Sequence, residues 1–237
     1  MNANAQKVVV VTGGSQGIGA GIVAGYRALG WAVVANARSM EQPDDPGVVV
    51  VEGDITRPAT ADRIVKAARD HFGGLHTLVN NAGVFLSKPF AEYTAKDYEL
   101  VVGVNLTGFF FMTQRAISEM LAHGGGHVVN LTATVAEYAN SKEVSVLAAL
   151  TKGGVASATR SLAIEYAERG IRVNAVSPAP TQTPSNAPET YSGLIGSIPL
   201  KRLGQISDIV NAILFLEASD FITGETLHVD GGQSAGR

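Results

Sequence analysis

Two rhythms alternate along the chain. Short runs of consecutive apolar, mostly β-branched residues end at Gly, Pro or Asn, and longer stretches with apolar residues three and four apart follow them. Residues 8–11 are the first such run, stopped by Thr12-Gly13-Gly14, and 18–29 then keeps helical spacing up to Gly30. Further strands are predicted at 32–35, 48–51, 75–79, 127–131, 171–176 (broken at Pro178) and 226–229. Helices are predicted at 58–72, about 95–121, about 146–168 and 207–216; Pro58 opens the first of these and Gly73-Gly74 follows it. The stretch 179–199, rich in Pro, Ser and Thr, reads as a mobile loop with one short helix. Strands apolar on both faces, alternating with helices, predict a parallel sheet covered on both sides. The expected class is α/β: one domain over 1–237, built on a doubly wound parallel sheet of seven strands.

Composition narrows this further. The 237 residues are 46% apolar and 16% charged, with a net charge of −3, which is a globular balance. With no cysteine, disulfide scaffolds, thiolate metal sites and cysteine nucleophiles are excluded. Slight acidity and the lack of a basic run argue against a nucleic-acid partner. No apolar run approaches the roughly 18–20 residues of a membrane span, so no membrane partner is expected. Residues 1–7 do not read as a signal peptide, and a cytoplasmic protein is expected. His123 and His127 have a metal-like spacing, but three glycines separate them and no third ligand is near, so no metal is expected.

Chemistry enters at the first strand–helix turn, Thr12-Gly13-Gly14-Ser15-Gln16-Gly17-Ile18-Gly19. Glycines there allow a tight turn, a close approach of backbone to a pyrophosphate, and close helix–strand packing. The helix start offers free N–H groups to the anion. In this strand–turn–helix setting the turn predicts a dinucleotide site. An NAD site places an acid at the end of the second strand, to bind the ribose 2′-hydroxyl. Here that segment runs Val33-Val34-Ala35-Asn36-Ala37-Arg38. A guanidinium at Arg38 suits a 2′-phosphate, which favours NADP(H) over NAD(H); the alternative is a solvated surface arginine. Asp54, beside Ile55, is either an acceptor for the adenine amino group or a turn cap.

Taken in order, Thr12 to Gly19, Asp54, Asn80-Asn81-Ala82-Gly83, Asn105, Lys152, Arg172 to Pro178, Thr183 and Val229-Asp230-Gly231-Gly232 resemble the short-chain dehydrogenase/reductase family, over nearly the whole chain. The likeness is to its 3-oxoacyl reductase-like and carbonyl reductase-like members. It implies a Rossmann-type fold and an NAD(P)-dependent oxidoreductase acting on a small molecule, usually as a homotetramer. It also implies that Asn81, Ala82 and Gly83 border the cofactor, that Pro178 binds it, that Thr183 contacts its nicotinamide end, and that Lys152 binds its ribose. Asn105 would anchor a water of the proton relay.

The resemblance breaks at two positions. The family's tyrosine, four residues before Lys152, is Ala148, and its serine, after the fifth strand, is Ala133 between Thr132 and Thr134. Tyr138-Ala139-Asn140-Ser141-Lys142 fits the Tyr-x-x-x-Lys pattern, but taking it as the aligned pair would displace the next helix by ten residues and scramble its packing. Tyr138 stays a candidate proton donor from a new direction, against a reading as a half-buried loop tyrosine. The expected catalytic set is Asn105, Lys152 and Tyr138. The alternative is an NADP(H)-binding subunit or sensor without turnover. The helix segment 147–163, rich in small residues, is the expected subunit interface, or else packs closely on its own sheet.

Overall fold

Strands form where β-branched residues are buried on both faces, and in the computed structural model they make one sheet. The structure describes residues 6–139, 144–184 and 191–236, with residues 191 and 192 in backbone only. Part of the predicted loop at 179–199, and Asn140 to Lys142, lie outside these residues. The strands are β1 (Val8–Thr12), β2 (Ala32–Ala37), β3 (Val48–Glu52), β4 (Thr77–Asn80), β5 (Gly126–Leu131), β6 (Ile171–Pro178) and β7 (Thr226–Val229). They run in the order β3-β2-β1-β4-β5-β6-β7, and every pairing is parallel. The chain reverses its winding between β1 and β4, so a crevice opens beyond the carboxyl ends of those two strands.

Alternation along each strand sends residues to two cores. Val10, Val34, Leu78 and Val128 pack with Ile64 of α2 (Pro58–Phe72), Met112 of α4 (Phe109–Ala122) and Ala163 of α5 (Val146–Tyr166). Val9, Val33, Val79 and Val129 pack with Ile22 of α1 (Gly17–Ala28) and Ile213 of α7 (Ile206–Glu217) on the other face. Among the described residues the remaining α-helices are α3 (Ala95–Val102) and the short α6 (Tyr191–Ile195).

Three sequence expectations change. Pro178 ends β6 rather than breaking it before that residue, and it pairs with Val229 there, because a strand end can spare its N–H. The helix predicted at 95–121 is two helices joined by a π-helical turn over Gly103–Gly108. An i→i+5 turn absorbs an extra residue while apolar spacing on either side stays helical, so the pattern cannot show it. Finally, residues 95–122 contain an 18-residue window long and apolar enough, by length and composition alone, to cross a membrane. In the fold α4 instead lays Met112, Ala116 and Met120 on the sheet.

Candidate active-site cleft

The glycine-rich turn is built by close approaches. A Cβ on Gly19 would lie 1.9 Å from the Gly13 carbonyl oxygen, so α1 can begin this close under the turn only without a side chain there. Gly13 has φ +68°, in the left-handed region, and a Cβ on it would meet the Asn81 amide at 2.9 Å. Asn81 holds the turn by donating from Nδ2 to the carbonyls of Thr12 (2.9 Å) and Gly13 (3.0 Å). The α1 start has no side-chain cap and no acidic residue in its first turn, so its N–H groups face the crevice as an anion site.

One cleft of about 880 Å³ runs across this turn. Gly13, Ser15, Gln16, Gly17, Ile18, Gly19, Arg38, Asp54, Ile55, Asn81, Ala82, Gly83 and Thr183 all line it, so thirteen of the residues singled out from the sequence share one surface. Asp54 also caps the following turn, accepting from the Thr56 N–H at 2.9 Å. Asn36 also lines the cleft, with its amide committed to the carbonyls of Val51 (2.8 Å) and Gly53 (3.2 Å). Glu52, opposite Ala37 in the ladder, turns to the Met40 N–H at 2.9 Å and does not line the cleft. At the β2 end the cleft therefore presents the Arg38 cation without a carboxylate from β2. Lys96, Glu99 and Leu100 of α3 form a wall that the sequence did not indicate.

Lys152 and Pro178 stand outside this lining. Lys152 reaches an adjoining cavity of about 10 Å³, shared with Asn105, Thr12, Asn80 and Leu131, which is room for about one water. Its ammonium donates to the Leu131 carbonyl at 2.6 Å and would lie 3.1 Å from a Cβ on Gly83. Burial lowers its pKa from the usual lysine range to about 8. Asn105, on the π-helical turn, accepts from the Val84 N–H at 2.8 Å and donates to the Val84 carbonyl (2.9 Å) and Thr151 Oγ1 (3.0 Å). Both of its N–H groups are thus committed to protein, and the side chain staples the segment after β4 to α5.

Both expected hydroxyl positions remain alanine in space. Ala148 is 1% exposed and Ala133 is partly buried. The threonines beside Ala133 do not substitute for serine: Thr132 donates to the Val176 carbonyl (3.1 Å) and Thr134 to Gln233 Oε1 (2.8 Å). Tyr138 is 45% exposed, with its ring edge-on to His228 at 6.2 Å, and lines neither the cleft nor the inner cavity. Glu137 Oε2 lies 3.3 Å from His228 Nε2. In the sequence His228 stands isolated; its packing under the loop after β5 depends on the distant β6–β7 pairing and leaves no local signal. His123 and His127 do not converge. The first contacts the Glu119 carbonyl, and the second is buried against Glu217.

A doubly wound sheet with a glycine cradle at its switch point defines a dinucleotide-binding class of protein. The family profile described as enoyl-(acyl carrier protein) reductase matches residues 13–234. The chain is 36% identical over 246 residues to 3beta-hydroxysteroid dehydrogenase 1 of Eggerthella lenta, covering 96% of this chain and 94% of that one. Among solved structures, ElxO with NADP bound superposes with a TM-score of 0.91 at 28% identity, over 98% of this chain and 100% of that one. The 3-ketoacyl-(acyl-carrier-protein) reductase of Brucella melitensis, complexed with NADH, gives 0.87 at 31% identity, over 98% and 100%. The chain belongs to the short-chain dehydrogenase/reductase family of oxidoreductases.

Proposed function

We propose that this protein is an NADP(H)-dependent oxidoreductase that reduces a small carbonyl-type substrate (a ketone, quinone or imine) with an atypical proton supply. The observation that carries the cofactor choice is Arg38 lining the cleft while the Asn36 amide and the Glu52 carboxylate are committed to other partners. The ElxO structure has NADP bound, whereas the Brucella reductase is complexed with NADH, so the likeness alone does not choose. Arg38 does, because a guanidinium pairs with a phosphate and gains little from a hydroxyl.

When bound, the cofactor supplies the hydride. The chain's residues bind and orient. The glycine turn and the α1 start hold the diphosphate, Arg38 the 2′-phosphate, Asp54 the adenine amino group, and Pro178 and Thr183 the nicotinamide end. Lys152 holds the ribose hydroxyls and keeps a proton at Nζ beside a space for one water. A positioned acid is typically worth ~10²–10⁴-fold, and this chain lacks the usual tyrosine. Easier electrophiles, which need less protonation, are therefore the expected substrates. The test is a fluorescence titration with NADPH and NADH on wild type and Arg38→Ala. Selective loss of NADPH affinity supports the reading, and equal losses overturn it.

A second reading, a cofactor-binding subunit without turnover, is favoured by one observation. Ala148 is closed off from solvent, and both threonines around Ala133 are engaged elsewhere. It predicts tight NADPH binding with no substrate-dependent oxidation.

The assembly reading is a homo-oligomer, a tetramer by family likeness. One side of α5 buries Thr159 and Ala163, while Val146, Leu150 and Ile164 stand exposed on another, as does Phe110 on α4. Exposed Gly154, Ser157 and Ser161 leave room for a second copy to approach closely.

A further inference from the structure

The C-terminal turn after β7 touches two segments that follow the carboxyl ends of β5 and β6, neither of which lines the cleft itself. On one side is the loop after β5, which carries Ala133, the 3₁₀ turn Thr134–Ala136 and Tyr138. On the other is the segment after α6, where Ile198 and Leu203 form a small core with Ala179. Gln233 bonds to each: its Oε1 accepts from Thr134 at 2.8 Å, and its Nε2 donates to Ser197 Oγ at 3.0 Å. The orientation of the amide follows from the network. Ser197 Oγ already spends its proton on the Leu194 carbonyl at 2.9 Å, so it must accept, and the NH₂ end must face it.

The turn itself is rigidly seated. The Asp230 carboxylate accepts from the N–H groups of Gly232 (2.9 Å) and Ser234 (2.8 Å). Leu200 donates its N–H to the Gly231 carbonyl at 3.1 Å, and a Cβ on Gly231 would strike Ile198 at 2.7 Å. Gln233 is thus a side-chain bridge of fixed length between the two loops.

We propose that Gln233 is a positioning residue that sets the spacing of these two loops, the first after β5 and the second after α6. This rests on the oxidoreductase reading for its kinetic consequence but not for its structural one. Losing one such bond is worth about 0.5–1.5 kcal/mol, or roughly 2- to 12-fold.

Hydrogen–deuterium exchange and steady-state kinetics on three variants test it. Gln233→Met, similar in length but without either bond, should speed exchange roughly 2- to 12-fold in both 134–138 and 194–203. Gln233→Glu keeps the acceptor for Thr134 and loses the donor to Ser197, so only 194–203 should loosen. Thr134→Val should loosen only 134–138. With any substrate that turns over, Gln233→Met should raise KM by a similar factor while the NADPH dissociation constant stays within about twofold. Exchange changes confined to the C-terminal turn, or identical patterns in all three variants, would overturn the proposal. If no substrate turns over, the oxidoreductase reading fails, and the exchange pattern still decides the role of Gln233.

Discussion

Arg38 and Lys152 sit at opposite ends of the proposed cofactor path, and their environments make different predictions. Arg38 lines the cleft at the end of β2, so its worth should appear as selectivity. Arg38→Ala is expected to weaken NADPH binding by about 10- to 100-fold and NADH binding by less than about threefold, read by fluorescence titration. Lys152 is partly buried, with a pKa lowered to about 8, so its charge is present below that pH and lost above it. Substrate-dependent oxidation should therefore fall as pH rises through 8, and Lys152→Met should remove that alkaline limb along with most activity. Tyr138 packs on His228 and lines neither the cleft nor the inner cavity beside Lys152. Tyr138→Phe is expected to keep turnover within about twofold, whereas a proton donor would lose ~10²-fold or more. At this scale the residues of the proposed cofactor cleft are legible in the sequence because they fall just after the ends of successive predicted strands: Gly13 to Gly19 after β1, Arg38 after β2, Asp54 after β3 and Asn81 to Gly83 after β4. The Gln233 bridge is not, because it joins positions 99 and 36 residues apart through side chains alone.

Helix and strand positions follow from hydrophobic spacing because each strand is buried on both faces and each helix is sided. α2 and β7 stand where the pattern places them, and β2 and β3 extend beyond it into less apolar residues. The π-helical turn at Gly103–Gly108 is hidden because its apolar spacing matches two abutting helices. Yet it aims Asn105 at Val84 and Thr151. If Asn105 is a structural staple, Asn105→Ala should cost about 1–3 kcal/mol in a urea unfolding curve, since it leaves the Val84 N–H and carbonyl unpaired. If its worth were confined to holding a water of the relay, stability would stay within about 0.5 kcal/mol.

The whole molecule has a second polar cluster, at the opposite, amino edge of the sheet. Glu217 Oε2 accepts from Tyr26 (2.9 Å) and Thr77 (3.0 Å) and faces His127 Nδ1 at 3.1 Å. The other ring nitrogen faces the Asn174 amide (3.1 Å) and the Arg172 guanidinium (3.3 Å), both donors, so the neutral ring carries its proton on Nδ1. Burial holds the His127 pKa below the usual histidine range, although Glu217 opposes it. The unfolded chain takes up this proton near pH 6.5 and the folded chain resists it, so stability is present above that pH and falls as pH drops through it. Thermal unfolding should show a falling Tm from pH 7 to 5, and His127→Gln should flatten that slope while lowering Tm at pH 7. Assembly belongs to the same scale. Leu150→Glu on the exposed side of α5 should reduce the mass seen by light scattering, and an unchanged mass would contradict that interface. Turnover despite Ala133 and Ala148 is the central claim. Its most direct test follows NADPH absorbance between pH 6 and 9 with activated ketones, quinones and imines. Substrate-dependent oxidation that declines above pH 8 is the expected result. Tight NADPH binding with no oxidation by any of these classes would contradict the account and make the protein a cofactor-binding subunit.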